Sequence, residues 1–436
     1  MRERLPAVAI LLVGWTLFIA YAYPGVMSFD SFDQLHEARA GFFSDSHPPV
    51  MAALWGSIDR VAPGPFPLLI IQGTCFLIGV YLLLRRAMGR TAAAAWAVVL
   101  FLFPPIISPM AVIWKDCLMA GFLVLGIVAI LDARPWMRLV GLGCLTMATA
   151  LRYNALAATL PLVILLFEWR PGSRWRYALA FGVWLAVSAI GLEADALLVD
   201  REMHIWQSSL ALTDIVGTTA MLDDDLPDDQ LRPLLAPTGL HADHDLHHAL
   251  RAHYKPGDFA QLIGGSDPLW TLPITGWTPA PADQREAITH AWRVLVLGHP
   301  WAYAEYRLDT VAEILGLRSK FNGMTVVDHT MQMPGLVASY HIPDGWPSIQ
   351  RPPERLARRL ERHTGLYRPY VYVLLALVLL PFAWRERDIA ALLASGLVME
   401  LSLVPLAVTP DFRYSHWLVV TTCLSLVMLV ARRMRR

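Results

Sequence analysis

The chain has 436 residues, 56% of them hydrophobic and only 17% charged. With a mean hydropathy of +0.44, this composition excludes an ordinary soluble domain, in which about a quarter of residues are charged. Basic and acidic residues balance at 36 each, so net charge says little and its distribution along the chain carries the information.

The N-terminus, Met1-Arg-Glu-Arg4, leads into the apolar run Ala7–Ala20 and then Ala20-Tyr-Ala22. That pattern mimics a secretory signal, but the many apolar runs that follow make an uncleaved first span the expectation. Those runs are Phe66–Leu84, Ala92–Ile107, Met119–Ile130, Ala178–Ile190, Val371–Pro381, Ile389–Val408 and Leu418–Val430. A run near 20 residues matches about 30 Å of hydrocarbon at about 1.5 Å per residue. The stretch 139–167 is apolar except for Arg152-Tyr153-Asn154, and Arg138 and Arg170 flank it. Two short helices meeting at Arg152 keep both flanks on one side. Arg152 then lies below the surface, where an ionisable group is costly and marks function.

The expected fold is therefore an all-α polytopic membrane protein with about ten transmembrane helices. Alternating sides place Arg2 and Arg4, Arg85, Arg86 and Arg90, Arg134 and Arg138, Arg170, Arg174 and Arg176, Arg385 and Arg387, and the C-terminal Arg432, Arg433, Arg435 and Arg436 together. The short segments opposite hold only Arg39, Arg60, Lys115, Arg152 and Arg413. The positive-inside rule then sets both termini in the cytoplasm of a multi-pass protein of the cell (inner) membrane. An N-terminal transmembrane module, 1–196, carries outer loops at 24–65 and 104–116. A mostly helical extracytoplasmic segment, 197–366, lies between spans 7 and 8. A C-terminal module, 367–436, carries a last outer loop at 408–416.

The first outer loop holds Asp30, Asp33 and Glu37 at three- and four-residue spacing, on one helical face. Ser28 or Ser31 can cap that helix, Ser31 with Gln34 as its capping-box partner. A wetted helix face accounts for these carboxylates; so does a general base on a helix start. Asp45-Ser-His47-Pro48-Pro49 reads as a stiff strut into a helix, or as a means of placing Asp45 or His47 over the carboxylates. Trp114-Lys115 reads as an interfacial anchor, which leaves Asp116 at the membrane edge in need of Lys115 or Arg152 as a partner. Arg413-Tyr414 repeats the dipeptide Arg152-Tyr153 at a second outer helix end. Two snorkelling arginines explain the pair, as do two phosphate ligands.

The 197–366 segment has an acidic run, Asp223-Asp-Asp225, helical patches such as 243–253, and an amphipathic stretch, 299–318, suited to the interface. His244 and His248 share a helical face, but without a third ligand a solvated histidine-rich helix is expected and no metal is assigned. Cys75, Cys117, Cys144 and Cys423 lie in or beside apolar runs and imply no disulfide framework. No GxGxxG, Walker or zinc-ribbon pattern occurs, and the inside loops are too short for a nucleotide domain. No nucleic-acid partner and no cofactor is expected.

Phe29-Asp30-Ser31 through Gln34, then His47-Pro48-Pro49 and Trp55, with Trp114-Lys115-Asp116 and Arg413-Tyr414 further on, resembles the GT-C integral-membrane glycosyltransferases, including the protein mannosyltransferase and aminoarabinose transferase relatives. Where better-known members carry Asp-Glu, this chain has Asp30-Ser31, which leaves Asp30 and Asp33 both open for the catalytic place. The resemblance implies a sugar donor on a polyprenyl phosphate, moved to a glycan, lipid or protein acceptor by an inverting single displacement on the outer face. It implies Asp30, Asp33 and Asp116 as catalytic residues, and Lys115, Arg152, Arg413 and Tyr414 around the donor phosphate. Gln34, Asp45 and His47 would then position the acceptor or the loop. A polysaccharide polymerase or ligase is the alternative within enzymes, and a multi-span transporter the alternative outside them.

Overall fold

A computed structural model describes residues 4–167, 172–222, 226–240, 246–257, 269, 279–318 and 334–436. Within these the protein is all-helical, with two isolated bridges, Val26 to Val112 and Ser44 to Arg201, as its only extended pairings. Five helices are long and apolar enough to cross a membrane: α1 (Arg4–Ala22), α4 (Phe66–Leu84), α10 (Arg176–Ala196), α19 (Arg387–Leu406) and a last one, α20 (His416–Arg433). A bent pair brings the number to six, and Ala155–Phe167 and Pro369–Ala383 are shorter apolar helices.

The bent pair corrects the expected continuous span over Ala92–Ile107. Helix α5 (Arg90–Phe101) and α6 (Pro104–Met110) meet at 69°. The cause is local: Pro104 forces the preceding Phe103 into extended backbone, φ −62° and ψ 125°, and so breaks the helix. The break at Arg152 is as expected. Helix α8 (Pro135–Leu151) stops at Arg152, whose φ and ψ of −157° and 118° are extended, and α9 (Ala155–Phe167) follows. Helix α7 (Lys115–Ile130) packs against α4 and α8; α19 packs against α9 and α20.

Two short helices precede α4. Helix α2 (Phe29–Ala40) starts at Ser28, whose side chain accepts from the Ser31 amide while the Ser31 hydroxyl accepts from the Ser28 amide. Ser28, not Ser31, is thus the cap, and Ser31 fills the position expected of Gln34. Gln34 instead donates to the Asp30 carbonyl at 3.2 Å. Gly41 closes α2 in the left-handed region, φ 63°. Pro49 opens α3 (Pro49–Asp59) at its first position, where a missing N–H costs nothing.

These two helices pack together through Gly56, where a Cβ would come within 2.7 Å of the Ala38 carbonyl oxygen. Arg39 braces the pair by a two-armed contact to Asp59, 2.9 and 3.2 Å. Gly56→Ala is expected to push α2 away and destabilise the protein by about 1–3 kcal/mol. A thermal melt in detergent checks this; an unchanged midpoint contradicts it.

The segment after α10 builds its own small core from Leu212, Ile215, Leu231, Leu250, Ile288 and Leu295 among others. The stretch 299–318, expected to be amphipathic, forms the helix Pro300–Ile314 over most of its length. It buries Tyr306 and Arg307 and leaves Trp301 and Leu308 exposed. Arg307 reaches across the fold, donating to the Ala407 carbonyl at 3.0 Å and pairing with the buried Asp214. It thereby fastens the loop that leads to Arg413.

Candidate functional site

One end of the helix bundle gathers residues that are far apart in sequence. Helix α2 presents Asp30 in its first turn, and the loop 407–416 brings Arg413 to it. The two meet at 2.7 Å, Nη1 to Oδ2. The second arm of the same guanidinium lies 3.1 Å from Asp411. Its face covers Trp114, 4.7 Å from the ring centre, and Tyr414 at 5.2 Å. Arg152 stacks on Tyr414, 4.7 Å away, and grips Asp116 with two nitrogens at 3.0 and 3.1 Å. Tyr414 is thus bracketed by both guanidinium groups, and its hydroxyl lies 3.1 Å from that of Thr409.

Lys115 opens α7 and directs its ammonium at His47 Nδ1, 2.8 Å away. An ammonium only donates, so His47 Nδ1 accepts and the ring proton is on Nε2. That nitrogen lies 3.4 Å from Asp33 Oδ2. Burial and the neighbouring Lys115 push His47 down to about 3, which keeps the ring neutral at pH 7. His47 thus sits between the Lys115 ammonium and the Asp33 carboxyl.

The carboxylates of α2 are driven apart. Burial pushes Asp30 up, but the Arg413 guanidinium and the Lys115 ammonium outweigh it and hold the group well below the usual carboxylate range. Burial, Glu37 and Asp30 push Asp33 up to about 8. Asp30 is ionised and Asp33 neutral at pH 7. Asp33 Oδ1, Gln34 Oε1 and Glu37 Oε2 are buried without a hydrogen-bond partner, a cost of about 1–3 kcal/mol for each such group. Asp411 is also raised, by burial against the opposing pull of Arg413.

The structure brings together Asp30, Asp33, His47, Lys115, Asp116, Arg152, Arg413 and Tyr414. Gln34 is on the same helix but is turned to the backbone. Asp45 is occupied elsewhere: its carboxylate accepts from the Met203 amide, and its own amide donates to the Arg201 carbonyl. It fastens the first loop to the start of the 197–366 segment, as does Asp200 through the Phe43 amide, while Asp195 near the end of α10 accepts from the Val50 amide.

Three residues of the site were not apparent from sequence. Trp114 is not an interfacial anchor. It is 3% exposed, donates to Ser28 at 2.8 Å and forms the floor under Arg413. Asp411 was visible beside Arg413 but was not assigned to the site. Glu37, read as part of a wet face, is buried and accepts from the Ser44 amide and hydroxyl. The metal reading finds no support among the described residues, where no group of three or more metal-ligating side chains is arranged to hold an ion. His244 and the acidic run 223–225 lie outside the described residues. His247 is turned inward, its Nε2 against the Leu226 carbonyl.

A cavity of about 720 Å³ lined by Phe382, Trp384, Arg385, Arg433 and others lies at the far end of α20 from Arg413. It shares no residue with this cluster. No family model, curated protein or solved structure matches the chain.

Proposed function

We propose that the protein is a GT-C-like glycosyltransferase that moves a sugar from a polyprenyl-phosphate donor to a hydroxyl acceptor at the outer face of the membrane. In this reading the chain makes about ten spans, the shorter helices around Arg152 and Pro369–Ala383 among them. Both termini are cytoplasmic, because the arginine-rich turns share the side opposite the Asp30 end. The observation that carries the reading is the Arg413–Asp30 contact, a carboxylate and a guanidinium at the mouth of apolar helices with Arg152 and Lys115 close by.

The chemistry follows from these groups. A leaving lipid phosphate needs fixed cations, and Lys115, Arg152 and Arg413 supply them in a partly dry site. The acceptor hydroxyl needs a base that is ionised, and of the two candidate carboxylates only Asp30 is so at pH 7. Held by Arg413, Asp30 is a weak base. Donor phosphate competes for that guanidinium and adds negative charge nearby, and both effects raise Asp30 toward useful basicity. Asp30 then takes the acceptor proton as the hydroxyl oxygen bonds to the anomeric carbon. The bond from that carbon to the phosphate oxygen breaks, and the lipid phosphate departs with the electron pair, inverting the centre.

Asp33 sets a pH limit on this scheme. As pH rises through about 8 it ionises and places a second negative charge beside Asp30. The donor is itself anionic, so its KM is expected to rise above that pH while kcat changes less. In Asp33→Asn the rise should vanish, with only a mild loss of rate at pH 7. A KM that is flat with pH in the unsubstituted protein contradicts the role. The function itself is tested by mass spectrometry of lipid that co-purifies with the protein. Polyprenyl phosphate, retained by the native chain and lost on Arg413→Ala, is the expected result; its absence from both argues against a prenyl donor.

A further inference from the structure

Helix α17 (Pro347–His363) is not used by the scheme above, and its surface is unusual for the side of the membrane where that scheme places it. It carries five arginines against two glutamates, whereas the short outer segments are nearly free of basic residues. Its side chains fall into three stripes. Gln350, Glu354 and Ala357, at four- and three-residue spacing, are buried against the protein. Ile349 and Leu356, seven residues apart, are 52% and 53% exposed, with the half-buried Leu360 on the same flank. Arg351, Arg355, Arg358 and Arg362 repeat at four, three and four residues and form the third stripe. Arg351, Arg355, Arg359 and Arg362 are all exposed.

The level of this helix is fixed by α1. Trp346, just before the helix, stacks on Tyr23, just after α1, at 4.4 Å between ring centres and 11° between planes. Gln350 donates to the Tyr23 carbonyl at 2.5 Å, and the helix also packs on α6. Tyr23 follows the last turn of an apolar helix long enough to cross a membrane. A helix pinned there lies at the boundary between hydrocarbon and headgroups. An exposed apolar stripe beside an arginine stripe at that depth is the pattern of a helix lying in the interface.

We infer that α17 is a docking surface for anionic phospholipid headgroups, with Ile349 and Leu356 against the acyl layer and the arginine stripe on the lipid phosphates. The leaflet follows from the proposed orientation; lipid selection by the helix does not depend on glycosyl transfer. Interfacial arginines strengthen binding to an anionic surface by roughly fivefold each, and salt weakens that attraction.

The test is native mass spectrometry of the purified full-length chain from mixed micelles holding equal amounts of phosphatidylglycerol and phosphatidylcholine with identical acyl chains. Bound phosphatidylglycerol is expected in several-fold excess, falling as ammonium acetate is raised. The combined substitution Arg351→Gln, Arg355→Gln, Arg359→Gln and Arg362→Gln should remove the excess, and Arg355→Gln with Arg359→Gln alone should reduce it. Arg85→Gln with Arg86→Gln, at a turn remote from α17, should leave it unchanged. Equal binding of both lipids by the unsubstituted protein overturns the inference, even if the variants fail to fold. So does an excess that survives the substitutions, or retention of soluble polyphosphate without any lipid preference. Loss of transfer activity with the lipid excess intact would count against the proposed function only.

Discussion

Asp30→Asn is expected to slow sugar transfer by about 10²–10⁴-fold, the range for removal of a general base, while the protein still inserts and folds. The asparagine keeps the shape of the first turn of α2 and leaves the Ser28–Ser31 cap intact. Arg413 loses one partner but keeps Asp411 at 3.1 Å and the faces of Trp114 and Tyr414. The side chain of Asp30 is 22% exposed, so the cost of unpairing falls below the about 3–5 kcal/mol seen for fully buried pairs. Single-turnover release of lipid phosphate reads the chemical step, and a thermal melt reads the fold. A rate near that of the native protein removes Asp30 from the base role, and Asp33→Asn measured alongside shows whether the neighbour holds it.

Arg413 carries the second large effect, through a different parameter. Its two arms are split between Asp30 and Asp411, so donor phosphate engages it only by displacing a carboxylate. Arg413→Gln removes the cation from between two acidic side chains and from the place where negative charge develops on the leaving group. The expected loss in rate is about 10²–10³-fold, typical of a missing charge stabiliser, with a higher KM for donor. Arg413→Lys restores charge without the planar fork and should fall between the two. In a double-mutant cycle with Asp30→Asn the losses should be far from additive, because the two side chains are in direct contact. Additive losses would mean that the contact has no part in turnover.

Much of this site was legible because its residue types are costly where the hydropathy pattern puts them. Arg152 interrupts an otherwise apolar stretch, Asp116 enters a span, and His47-Pro48-Pro49 stiffens a loop, each for a reason that composition and spacing alone expose. Pairings were not legible. Asp30 and Arg413 are 383 positions apart, and no periodicity links them. Nor does sequence distinguish an interfacial tryptophan from a buried one; only the packing of Trp114 under Arg413 does so. The bend between α5 and α6 was signalled by Pro104-Pro105 but hidden by the uninterrupted apolar run. The expected count of about ten spans includes apolar runs as short as Met119–Ile130 and Val371–Pro381, below the length of a full membrane crossing. Among the described residues five helices, or six with the bent pair, are long and apolar enough to cross a membrane, and the rest are shorter arms.

The most direct measurement incubates the purified full-length chain, in lipid nanodiscs, with a panel of polyprenyl-phosphate sugars and simple hydroxyl acceptors, and follows release of free polyprenyl phosphate. Release from at least one donor is expected, dependent on acceptor and abolished by Asp30→Asn. Release that is unaffected by Asp30→Asn and Arg413→Gln together would contradict it, as would no release from any donor by a protein that remains folded throughout.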